Sequence, residues 1–156
     1  MRLALLPLIL AASLLGKPDL WNQFRGPNGD GDASDAALPL TFGEKENLVW
    51  KTPVEGKAWS SPVVRNGQVW MTNAQTDGKK MWAVCLDFTT GKKLHEVLVF
   101  ENEKPQYCHS MNSYATPTPV IEDGRVFVHF GTRFEAAQST LCVKRREIST
   151  ILSGFG

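Results

Sequence analysis

The sequence predicts an all-β fold, and three observations predict it. The stretch SSPVVRNGQVWMT from Ser60 is echoed by PTPVIEDGRVFVHF from Pro117, with Pro62 and Pro119, and Gly67 and Gly124, each 57 residues apart. An Asn-Gly pair in the first copy and an Asp-Gly pair in the second sit between β-branched runs, which is the strongest short-range hairpin signal. Between the copies, MWAVCLDFTTGKKLHEVLVF reads as strand, turn, strand.

The chain begins MRLALLPLILAASLLGKPDLW. Arg2 supplies the positive charge and Leu3 to Leu15 the apolar run of a secretory signal, so residues 1–16 are expected to form a signal peptide helix. Thirteen residues rising about 1.5 Å each fall short of a hydrocarbon core of roughly 30 Å, so no stable membrane span is expected after cleavage. Ala11 and Ser13 suit cleavage after Ser13, with Gly16 a poorer alternative. No cysteine follows the run to accept a lipid, and the expected destination is the periplasm or the exterior.

Residues 17–49 are expected to form an N-terminal extension and the start of the β-propeller that the repeat implies. Its acidic stretch NGDGDASD, Asn28 to Asp35, has the look of a calcium loop, but Ala33 stands where an EF-hand needs Gly and Pro39 where it needs the bidentate Glu. A solvated turn is the expectation.

The first hairpin follows from Val63-Val64 and Val69-Trp70-Met71 flanking Asn66-Gly67, which takes the positive φ angles of a type I′ turn. Pro62 precedes it, where a proline opens a strand without removing a ladder bond. Met81–Leu86 and Lys92–Phe100 are the next two strands. In the turn between them Asp87 and Thr90 bond local backbone groups and Gly91 takes a left-handed conformation. The surplus of the 57-residue offset falls in a long loop, residues 100–115. Then Pro119 opens the second hairpin, Val120-Ile121 and Val126-Phe127-Val128 around Asp123-Gly124, with the same turn expected.

One repeat therefore holds four antiparallel strands joined by short turns, which describes a β-propeller blade. The expected architecture is a partial β-propeller: one full four-stranded blade plus parts of adjacent blades over residues 50–132. A closed ring takes typically four to eight blades. This length cannot close one, so uncovered faces, and aggregation or association, are expected.

The segments WNQFRGPNGDG, ENLVWKTPVEGKAWSSPVV, AVCLDFTTGKKL and HSMNSYATPTPVIEDGRVFVHFG resemble the PQQ-like, quinoprotein-type β-propeller repeat proteins of the BamB-like superfamily, from about Trp21 to Thr132. That family's repeat runs A-x-L-D-x-x-T-G with a docking Trp four residues after the Gly. Ala83, Leu86-Asp87, Thr90 and Gly91 carry it loosely, and His95 stands in the Trp position. The resemblance makes Trp50 the docking Trp of a preceding blade's last strand. It also implies a further blade end after Thr132. Residues 133–156, within RFEAAQSTLCVKRREISTILSGFG, lack the turn residues for one and read as an irregular, aberrant tail, as a frameshift or premature stop would leave.

The net charge is +1, with 42% hydrophobic and 21% charged residues, which suits one soluble globular domain and leaves no basic footprint for nucleic acid. Cys85, Cys108 and Cys142 are odd in number, so one stays free or pairs between chains in an oxidising compartment. None has the CxxC spacing of zinc or dithiol chemistry.

The long loop holds His109, Asn112 and Tyr114 close together, and these are the candidate binding residues, since loops on rigid scaffolds collect such groups. The competing reading has Tyr114 and Met111 packed onto the blade and His109 solvated. His95 and His129 read as packing residues within strands. No catalytic residue, metal ligand or cofactor is expected.

Three function classes follow. A noncatalytic extracytoplasmic scaffold, binding protein partners through a propeller face, needs no special residues. A quinoprotein dehydrogenase is the alternative; the resemblance implies PQQ on calcium held by acidic ligands, a stacking Trp and, in many members, a vicinal Cys pair, which this chain lacks. A nonfunctional gene remnant is the third.

Overall fold

The computed structural model describes residues 20–33 and 38–131, and the strand backbone of 141–144. The expected signal segment lies outside the described residues. The described chain is all-β, in two antiparallel sheets. Sheet one runs in the order β1 (Leu20–Trp21), β2 (Val63–Arg65), β3 (Gln68–Ala74), β4 (Lys80–Asp87), β5 (Lys93–Glu101); sheet two runs β6 (Val120–Glu122), β7 (Arg125–Val128), β8 (Leu141–Lys144).

Strands β2 to β5 are the four-strand meander expected of one repeat. Val64 pairs with Val69 across the first hairpin, and the intervening Asn66 and Gly67 have φ of 52° and 71°, the type I′ pattern. The second hairpin keeps the two-residue loop, with Glu122 opposite Arg125. Here the expectation of an identical turn is corrected. Only Gly124 is left-handed, at 71°, which is the φ pattern of type II. Asn tolerates the left-handed region better than most residues, so the Asn-Gly pair uses it twice and the Asp-Gly pair once.

Two further strands were not expected. Leu20–Trp21 of the N-terminal extension pairs with β2, Trp21 opposite Val64. Just beyond it, the Asn22 carbonyl accepts from the Ile121 amide at 2.8 Å, so this short segment links β2 of sheet one to β6 of sheet two. The tail is not wholly irregular either: Leu141–Lys144 pairs along β7, Val126 opposite Val143. A four-residue strand of this kind is made by the open ladder of β7 rather than by turn chemistry of its own.

Because successive residues of a strand point to opposite faces, sheet one has two apolar sides. Its inner side, with Val63, Trp70, Ala83 and Cys85, shares one core with Ile121, Val126, Val128 and Phe130 of sheet two. Its outer side is a smaller cluster of Val69, Val84 and Leu86, with Trp50, Val64, Met71 and Trp82 partly buried against it. β5 is an edge strand. Two register irregularities and its exposed Lys93 and Glu96 blunt that edge against pairing with other chains.

Pinning the outer cluster is Trp50, which is not in a strand as expected but in an extended strap before the first hairpin. Its ring lies flat over Gly91, and its indole Nε1 donates to the Phe88 carbonyl at 2.8 Å. A Cβ on Gly91 would stand 2.5 Å from the ring, and Gly91 has φ of 68°, so Gly is required twice over. Replacing Gly91 by Ala should destabilise the chain by about 2–3 kcal/mol, combining left-handed strain with a displaced ring. Gly124→Ala, with open space around its Cβ position, should cost only about 1 kcal/mol. Urea unfolding of both variants checks the difference.

Candidate functional site

The turn beneath Trp50 is built by Asp87. Its Oδ1 accepts from the Thr90 hydroxyl at 2.7 Å, the Thr90 amide at 2.8 Å and the Thr89 amide at 3.1 Å. The Gly91 amide donates to the Asp87 carbonyl at 2.8 Å and the Thr52 hydroxyl to the Gly91 carbonyl at 2.6 Å. These donors, the Thr90 hydroxyl foremost, hold the Asp87 carboxyl below its ordinary value. Asp87, Thr90, Gly91 and Trp50 are thus one structural unit. Pro62, exposed, and Pro119, buried, lead into their hairpins as expected.

The three candidate binding residues do not converge. Tyr114 is buried at 7% exposure, its ring against Gly78 and its hydroxyl donating to the Gln106 carbonyl. Burial pushes its phenol pKa up, with Cys108 and Asp77 adding to the shift. Asn112 caps a local turn: its Oδ1 accepts from the Ser113 amide at 2.9 Å and from the Thr116 hydroxyl. His109 is exposed, and its Nδ1 accepts from the Met111 amide at 3.1 Å. Met111 projects outward instead of packing. These hydrogen bonds all serve to fold the loop.

Of the other histidines, His95 is exposed on β5 with its ring stacked 6.2 Å from Trp70. His129 lies just beyond β7 rather than within it. Cys85 is buried and free, and burial, helped by the charge of Asp87, raises its thiol pKa to about 12. Cys108 is also free and half-buried.

Among the described residues no group of three His, Cys, Asp or Glu side chains is placed to hold a metal ion. In the acidic stretch, Asp30 Oδ1 accepts from the Asp32 amide at 3.0 Å, a local turn bond. Its end, from Ser34 to Asp35, lies outside the described residues.

What sequence reasoning missed is an apolar surface in the N-terminal extension. Phe42 and Leu48, 74% and 48% exposed, line an open cleft of about 270 Å³ with Gly43, Glu46 and Asn47. Glu44 and Lys51 form an ion pair at 3.0 Å on its rim. The loop is shaped by a Gly43–Glu46 bridge and by the Asn47 side-chain amide donating to the Thr41 carbonyl at 2.8 Å. Asn47 itself is left-handed, at φ 58°. Its signal was legible: Leu38, Leu40, Phe42, Leu48 and Val49 are too apolar for a solvated linker.

No helix among the described residues is long and apolar enough to cross a membrane. No family model, curated protein or solved structure matches the chain.

Two outcomes follow. A carboxyl whose pKa is depressed on folding adds stability above its unfolded value, and that stability is lost as pH falls through the folded one. Denaturant stability should therefore drop as pH is lowered below about 4, and Asp87→Asn should flatten that drop in a pH series of urea melts. Cys85, kept as a buried thiol, should resist a thiol reagent in the native chain and react only on unfolding, read by mass spectrometry of the labelled peptides.

Proposed function

We propose that this chain is an extracytoplasmic, noncatalytic binding scaffold of the PQQ-like β-propeller type, which docks protein segments through apolar side chains on its loops. The observation that carries the reading is the contrast between its polar and apolar groups. The carboxylate of Asp87, the amide of Asn112 and the hydroxyl of Tyr114 are spent on internal hydrogen bonds. Phe42 and Leu48, by contrast, face solvent around an open cleft, and Leu40 and Val49 beside them are almost fully exposed. Large apolar groups gathered at a surface mark contact sites for other macromolecules. The propeller element of the reading is supported by two hairpins, 57 residues apart, that fall in successive stacked sheets.

Peptides selected by display on the immobilised chain test the reading. Those that bind should lose at least tenfold in affinity on Phe42→Asp or Leu48→Asp, about 1.4 kcal/mol. Binding indifferent to both substitutions overturns it. Saturable binding of PQQ with Ca²⁺, followed by quinone absorbance, would instead favour a quinoprotein.

A further inference from the structure

The 57-residue repeat relates not only residues but faces. Val64, Val69 and Met71 of the first hairpin lie on the outer side of sheet one. Their counterparts 57 residues later, Ile121, Val126 and Val128, are buried in the core between the sheets. The other alternation is reversed. Val63, Trp70 and Thr72 are sealed against sheet two, at 0%, 4% and 0% exposure, whereas their counterparts Val120, Phe127 and His129 are only half-buried on the far side of sheet two.

The sheets are therefore stacked head to tail. One face type of the first hairpin meets the opposite face type of the second. Each end of the stack keeps one face that no sheet among the described residues covers: Val64, Met71 and Trp82 with exposed Leu98 on sheet one, beside the strip of Val69, Val84 and Leu86 that Trp50 packs against, and Val120, Phe127 and His129 on sheet two.

We propose that these two faces bind each other between copies of this chain, in a head-to-tail contact that repeats the internal one. The internal contact is the argument for the occupant, because it already joins a face of one type to a face of the other. The polar rim agrees. Within the chain the Ser61 amide donates to the Thr118 hydroxyl, its repeat counterpart, at 3.1 Å. Between copies the same relation brings the Thr118 amide to the Ser61 hydroxyl of a second copy, a residue equally able to accept. Arg65 bonds Asp123 at 3.0 Å inside the chain. The corresponding pair between copies is Glu122 with Asn66, an acceptor with a donor and no like charges. Such a heterologous contact adds copies one after another, closing a ring where the rotation allows and growing open otherwise. The inference rests on the repeat alone and not on the proposed function.

Sedimentation velocity of the full chain across a concentration series tests it. The unmodified chain should associate stepwise. Met71→Glu spoils one face and Phe127→Glu the other, and each variant alone should sediment as a monomer with unchanged β-sheet circular dichroism. Mixed in equal amounts, the two should form a two-copy complex and nothing larger, because each supplies the face the other lacks. Leu98→Glu and His129→Glu repeat the mixing experiment if either first variant loses its β signal. A monomeric unmodified chain, association untouched by either substitution, or a mixture that stays monomeric overturns the proposal. A self-pairing face would also fail the mixing step.

Discussion

The closing of one side of sheet one by sheet two is the contact on which the rest of the structure depends. Val63, Trp70, Ala83 and Cys85 meet Ile121, Val126, Val128 and Phe130, and the Phe100 and Phe130 rings meet edge to face at 5.6 Å. Burying each of the Val, Ile and Phe side chains among them is worth roughly 1.5–3 kcal/mol. A lone hairpin is marginal in water, and a larger sheet is stable through an apolar face that it can bury. Stacking two such sheets gives each a dry face, and the loops and the short strands β1 and β8 then have something fixed to pair with.

That contact brings polar backbone into the dry region, and hydroxyls satisfy it. The buried Thr72 amide donates to the Ser60 hydroxyl at 3.0 Å, while the Thr72 hydroxyl donates to the Pro117 carbonyl at 3.3 Å. The Ser113 hydroxyl donates to the Lys57 carbonyl at 3.2 Å and accepts from the Ala115 amide at 3.1 Å. The segments before each hairpin are irregular, with only isolated ladder bonds such as the Lys57–Ala74 bridge, so hydroxyls supplement them. An unpaired buried group costs about 1–3 kcal/mol, which explains hydroxyl residues at these positions. One backbone bond recurs with the repeat: the Ala74 amide donates to the Lys57 carbonyl, and the Gly131 amide to that of Tyr114. The Arg65–Asp123 pair across the sheets adds little, since Asp123 is largely solvated.

The candidate site was harder to read than the fold. His109, Asn112 and Tyr114 are close in sequence, yet a loop turns its side chains in independent directions. Tyr114 goes inward because its large ring finds the bare backbone of Gly78. Asn112 finds donors within four residues and becomes a cap. The apolar cleft around Phe42 has no strand period or turn pair to announce it, and its shape comes from the Gly43–Glu46 bridge and the Asn47 bond to the Thr41 carbonyl.

The amino-acid sequence by itself determined the strands β2 to β7, the positions of both hairpin turns and the 57-residue repeat. Alternation of apolar residues and Gly at turns are local properties, settled within a few neighbours. Tertiary structure alone decided which side of each hairpin faces the other. Both sides are apolar, so a period of two cannot rank them. It likewise decided that Trp50 lies over Gly91 and that Leu20–Trp21 and Leu141–Lys144 become strands. Those outcomes depend on surfaces that exist only once distant parts of the chain have come together.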